Sequence, residues 1–150
     1  MKINKGITLI EILVTIGLMG LILGMTFYFF GGFSSKESLE KDIAGLTAVI
    51  RNARLLSVAS KDASVFGVHL ESDKAVLFEG NPYVAGGANE KIMEFSKNVY
   101  LYSYSLNLGV PDIIFDRLTG NTSNFGSITL SLKDDSASTT ITILSTGVVQ

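Results

Sequence analysis

A lone carboxylate inside an apolar run is the residue with the most chemistry to account for. Between Ile7 and Phe30 the chain carries one charge, Glu11. A carboxylate near the centre of a membrane helix costs about 2.5–3.5 kcal/mol, so such a residue points to a partner or to a polar boundary. Elsewhere His69 is the only histidine. Asp112 and Asp116, and the pair Asp134-Asp135, offer carboxylates, and Tyr100, Tyr102 and Tyr104 alternate. One histidine with no second ligand or nucleophile at a recognisable spacing reads as a structural residue. The aspartates do not follow a calcium-loop pattern and read as turn residues. The tyrosines share one face of a strand and suit a core or an inter-subunit surface. A base-stacking platform needs flanking cations, and this stretch has Lys97 and little else. No nucleophile elbow, phosphate loop or zinc spacing occurs. With no cysteine there is neither a disulfide nor a thiolate metal site. No catalytic residue, metal or cofactor is expected.

The elements that position these residues follow from the hydropathy pattern. The 150 residues suffice for one domain and an N-terminal segment, and much of the 47% apolar content precedes residue 31. The apolar run of two dozen residues is about 36 Å long as a helix, against a hydrocarbon core of about 30 Å. Lys2 and Lys5 precede it and hold the N-terminus in the cytoplasm by the positive-inside rule. Gly17, Gly20 and Gly24 lie in this helix, and the Gly20-to-Gly24 spacing permits close helix approach. No proline interrupts it, and Gly31-Gly32 is the expected flexible point.

Leu39, Ile43, Leu46, Ile50 and Ala53 then recur at helical spacing. Glu37, Glu40, Lys41, Asp42, Arg51 and Arg54 are expected on the other faces, with the helix ending between Ser57 and Lys61. From Ala63 the period changes to two. Strands are expected at 66–70, 75–78, 91–95, 99–106, 113–116, 126–132 and 139–144, with a last edge at Val148-Val149 and a loop over 80–89. The predicted fold is α+β: a long N-terminal helix, membrane-spanning in its first half, packs by its second half against a C-terminal antiparallel β-sheet head.

Gly6-Ile7-Thr8-Leu9-Ile10-Glu11, after a short basic leader, resembles the processing site of type IV pilins and type II secretion pseudopilins. Phe115-Asp116-Arg117-Leu118-Thr119-Gly120, followed by Ile128-x-Leu130, Ile141-x-Ile143 and Gly147-Val148-Val149, is similar to the GspH/FimT group of minor pilins and pseudopilins. The resemblance implies that a prepilin peptidase cuts between Gly6 and Ile7 and N-methylates Ile7, where the family usually has phenylalanine. It implies a leader 1–6, a transmembrane and filament-core helix 7–30, an amphipathic second half 31–60 and a β-rich head 61–150. Glu11 would then meet the N-terminal amine of a neighbouring subunit and set axial register, because an unpaired buried charge is heavily penalised. The implied partners are other pilin or pseudopilin subunits, the prepilin peptidase, an inner-membrane assembly platform and membrane lipid.

The expected role is a non-enzymatic minor subunit of a pilus or type II secretion filament, at or near the tip or in the initiation complex. The expected location is the cytoplasmic membrane, single-pass, with the head extracytoplasmic. A cleaved secretory signal fits poorly, since its apolar core would be too long. A plain anchored binding domain leaves Glu11 unexplained. A DNA-uptake minor pilin is opposed by charge: loss of Lys2 and Lys5 takes the chain from −2 to about −4. Nucleic acid is therefore not an expected partner.

Overall fold

The computed structural model describes residues 8–87 and 89–150, with side chains throughout except at 26–34. The fold is α+β. Helix α1 runs Leu9–Val58, followed by a 3₁₀ turn at Lys61–Ala63 and seven strands: β1 Phe66–Leu70, β2 Lys74–Glu79, β3 Lys91–Glu94, β4 Val99–Leu106, β5 Asp112–Phe115, β6 Gly126–Leu132 and β7 Ser138–Ile143. No new helix is capped at Ser34–Glu37, and α1 is helical through Gly31 and Gly32. The chain divides into two compact units, Met1–Ser35 and Lys36–Gln150.

The strands form two antiparallel sheets instead of the single expected one. One is four-stranded in the order β3-β2-β1-β5, the other three-stranded in the order β4-β6-β7. The reason is long-range pairing. β1 pairs β2 through a tight turn and then takes β5, with Phe66 opposite Phe115 and Val68 opposite Ile113, so β4 is left to pair β6. Gly67 makes the first sheet possible as built. A Cβ there would sit 2.7 Å from the Phe78 ring and 2.9 Å from the Ile113 carbonyl oxygen, so only glycine lets Phe78 lie across the strand. Gly126 opens β6 at φ 149°, where a Cβ would fall 2.0 Å from the Ser105 carbonyl oxygen.

One core joins the helix to both sheets. Leu39, Leu46, Ile50 and Ala53 of α1 are buried with Phe66, Val68, Leu70, Ala75, Leu77, Ile113, Phe115, Ile128, Leu130, Leu132, Ile141 and Ile143. The period-two pattern puts these strand residues on inner faces, and the 3.6-residue period supplies the helix stripe. Ile43 is only half-buried. Val149 forms the expected last edge as a bridge to Ile143.

Two residue-level expectations are corrected. Asp42 does not lie on a solvated face but is 3% exposed. Burial is tolerated because Ser96 donates to its carboxylate twice, from N–H at 2.6 Å and from Oγ at 3.2 Å. Nor do Tyr100, Tyr102 and Tyr104 share a face. The β4–β6 register shifts between Leu101 and Ser103, so Tyr102 is the extra residue of a β-bulge. Tyr100 is opposite Ser131, whereas Tyr104 is opposite the buried Ile128. One inserted residue has moved Tyr104 to the other side of the sheet.

Candidate functional site

At the start of α1 the Glu11 and Ile12 amides donate to the Thr8 carbonyl oxygen at 3.1 and 3.3 Å. Glu11 is the acidic residue of the first turn. A carboxylate there lies at the positive end of the helix macrodipole, which favours its charge. The helix beyond it is apolar on every side. Its large apolar side chains from Leu9 to Met25 are each between 49% and 79% exposed. Thr15 satisfies its own hydroxyl on the Ile12 carbonyl at 2.8 Å, so it does not break the apolar surface. A Cβ added at Gly17, Gly20 or Gly24 meets nothing within 4 Å, so within the chain these glycines face open space. Gly6, Ile7, Lys2 and Lys5 lie outside the described residues.

Among the described residues no helix is long and apolar enough to cross a membrane. The apolar stretch with described side chains, residues 9–25, spans about 25 Å, short of a hydrocarbon core of about 30 Å.

The head carries three polar arrangements that patterning did not reveal. His69 of β1 lies directly opposite Asp112 of β5, and its Nδ1 meets the Asp112 carboxylate. Tyr83, from the loop after β2, stacks on the His69 ring with centroids 4.1 Å apart and tilts against Phe78 at 5.0 Å. Tyr83 thus lies over His69 and Phe78 on the outer face of the four-stranded sheet, where Phe78 is buried. Burial, followed by the nearby Glu90 and Glu71 carboxylates, pushes the Tyr83 phenol above its ordinary value. Ser57, buried on α1, accepts the Phe66 N–H at 2.9 Å and so fixes where β1 begins. Arg54 Nε donates to the Gly120 carbonyl at 3.3 Å and the Thr146 carbonyl at 3.1 Å, joining two loops to the helix. The His69–Asp112 and Arg54 bonds join residues 43 to 92 apart in sequence, which no local signal announces.

Of the residues weighed for metal or base binding, Asp112, Asp134, Asp135 and Tyr100 have partners within the head. Asp134 accepts from both Ser136 Oγ and Ser136 N–H, which hold its carboxyl below the ordinary value and close the β6–β7 turn. Asp135 accepts from Tyr100 Oη at 3.3 Å. Partial burial, then the Asp135 charge, pushes the Tyr100 phenol up. Among the described residues no group of three or more His, Asp or Glu side chains is arranged to hold a metal ion. Tyr100 and Tyr102 pack edge to face at 6.2 Å, and the bulge separates them from Tyr104, so the three rings form no continuous stacking row. Comparison with protein-family models, curated proteins and solved structures finds no match.

Proposed function

We propose that this chain is a minor pilin or pseudopilin. It is made as a membrane-anchored precursor, cut between Gly6 and Ile7, N-methylated at Ile7, and polymerised with its apolar helix inside a filament and its β-head outward. The observation that carries the reading is an apolar helix exposed on all sides with one carboxylate in its first turn. A helix apolar all round needs lipid or other helices around it. The sequence stays apolar to Phe30, which extends the helix to membrane-spanning length. Gly17, Gly20 and Gly24 leave room for a neighbouring helix. The likeness of the segments around Phe115–Gly120 and Gly147–Val149 to the GspH/FimT group supports a low-copy subunit at the tip or in the initiation complex.

In this role the protein is the substrate of a peptidase and performs no catalysis itself. The test is the mass of the N-terminal peptide of the protein purified from membranes that contain its peptidase. A chain beginning at methylated Ile7 is expected. An intact Met1, or a cut near Gly32, would remove the proposal.

A further inference from the structure

The two sheets of the head differ in chemistry. Lys74, Glu79, Lys91, Glu94 and Asp112 lie on strands of the four-stranded sheet, whereas no residue of β4, β6 or β7 is charged. Ile128, Leu130 and Leu132 of β6 are buried in the core, so Ser127, Thr129 and Ser131, which alternate with them, belong to the opposite face. The register extends that face over both neighbours. Thr129 pairs with Ser103 of β4 and with Thr140 of β7. Ser127 pairs with Ser105 and Thr142, and Ser131 with Tyr100 and Ser138. Every one of these positions carries a hydroxyl, in three rows of three, with rows about 6.6 Å and strands about 4.8 Å apart.

Within the chain, Thr129 and Thr140 bond each other at 2.8 Å, Ser131 donates to the Leu132 and Ala137 carbonyls, and Tyr100 donates to Asp135. The hydroxyls of Ser103, Ser105, Ser127, Ser138 and Thr142 have no partner among the described residues. The bulge adds an aromatic part. Tyr102 is 62% exposed, and its ring packs edge to face on Tyr100 at 6.2 Å, so both rings stand at one end of the hydroxyl face. Exposure to water alone does not ask for this composition. Water accepts Lys or Glu as well as Ser, and edge strands such as β4 and β7 ordinarily carry a charge that guards against pairing with other chains. The turn that joins β6 to β7 does hold Asp134 and Asp135, but both carboxylates are bonded within the head.

Charge complementarity therefore selects an uncharged occupant. A hydroxyl both donates and accepts, so an array of them is matched by a ligand whose own groups do both. Tyrosine adds a flat apolar face with a polar tip. An uncharged molecule that combines dense hydroxyls with apolar C–H faces is a sugar. The array repeats along an open sheet, so one sugar meets one row, whereas a chain of sugars meets several rows at once. Short Ser and β-branched Thr side chains lose little rotamer freedom on binding. We infer that the outer face of the three-stranded sheet binds a neutral polysaccharide. Tyr100 and Tyr102 pack against sugar rings, and the free Ser and Thr hydroxyls bond along the chain. This site goes beyond the filament-subunit reading and stands on the head alone.

The test is co-sedimentation. Full-length protein, held in a zwitterionic detergent with no sugar head group, is mixed with insoluble cellulose, chitin or starch, and the supernatant is assayed after centrifugation. Retention on at least one polymer is expected, with the same bound fraction at low and high salt, since no charge takes part. Tyr102→Ala and Ser103→Lys are each expected to weaken retention about five-fold. Thr139→Lys is the control: this exposed residue is on β7 but pairs with the buried Leu130, on the other face, and its substitution is expected to leave retention unchanged. All three substituted positions are exposed, and the thermal midpoint of each variant by circular dichroism reads whether the fold is kept. Retention on none of the polymers, or retention lost in high salt, overturns the inference. So does retention that Tyr102→Ala and Ser103→Lys leave unmoved, or that Thr139→Lys weakens equally.

Discussion

Two carboxylates on one helix have opposite circumstances. Asp42 is buried, and both its oxygens accept from Ser96, which ties α1 to the turn between β3 and β4. Asp42→Ala leaves the Ser96 N–H without its acceptor, an orphaning that costs about 1–3 kcal/mol. The expected outcome is a lower denaturant midpoint with an unchanged slope, measured by urea unfolding followed at the β-sheet signal. Glu11 lies in the first turn among exposed apolar side chains, in the unit that precedes Lys36. Glu11→Ala is expected to leave the head's unfolding midpoint unmoved and to abolish recovery of the protein in sheared filaments. A normal filament yield would count against the register role. Glu11 was legible in the sequence because charge in an apolar run stands out. Asp42 was not, because a carboxylate between apolar stripe positions looks solvated until its two donors on Ser96, 54 residues away, are known.

At the scale of elements, the hairpins were legible because alternation and turn residues are local signals. The β2 span follows the continuous apolar run 75–78, and the β6 span follows the alternation of Ile128, Leu130 and Leu132. What local signals do not carry is partner choice and register. Whether β1 takes β5, and where β4 accepts an extra residue, depend on packing across the whole head. The loop after β2 shows the same limit, since nothing near Tyr83 in sequence marks His69 as its stacking partner. Tyr83→Ala uncovers His69 and Phe78 and is expected to cost about 1–3 kcal/mol by the same urea measurement.

The far end of that loop is held electrostatically. The Ser64 hydroxyl, and then the Asn89 amide, keep the Glu79 carboxyl below its ordinary value. A depressed folded-state value means that the stabilisation is present at neutral pH and is lost as pH falls through that lowered value. Amides of residues 80–90 are therefore expected to lose hydrogen-exchange protection on acidification below the ordinary carboxylate range, relative to β6 amides. Glu79→Gln is expected to remove the difference.

For the whole molecule, the shift in hydropathy near residue 31 announced a division, and the boundary between compact units falls at Ser35 and Lys36. Every residue of the buried core, from Leu39 to Val149, belongs to the second unit. A chain beginning at Lys36 is therefore expected to stay in solution without detergent and to unfold cooperatively, with a midpoint close to that of the full protein. Aggregation, or a broad non-cooperative transition by calorimetry, would show that the first unit contributes to the stability of the second. The two-sheet arrangement was beyond reach of the sequence because it rests on pairings between strands far apart in the chain, which local patterning does not carry.

The Arg54 clasp also sets a clock. Its two acceptors follow it by 66 and 92 residues. At translation rates of about 5–20 residues per second, roughly 5–20 s separate the birth of the helix from the birth of the second acceptor. Early in that interval Leu39, Leu46, Ile50 and Ala53 have made few of the contacts that will bury them, because most of their β partners have yet to be synthesised. The ribosome, more than the fold, decides how long the young chain offers this stripe to wrong partners.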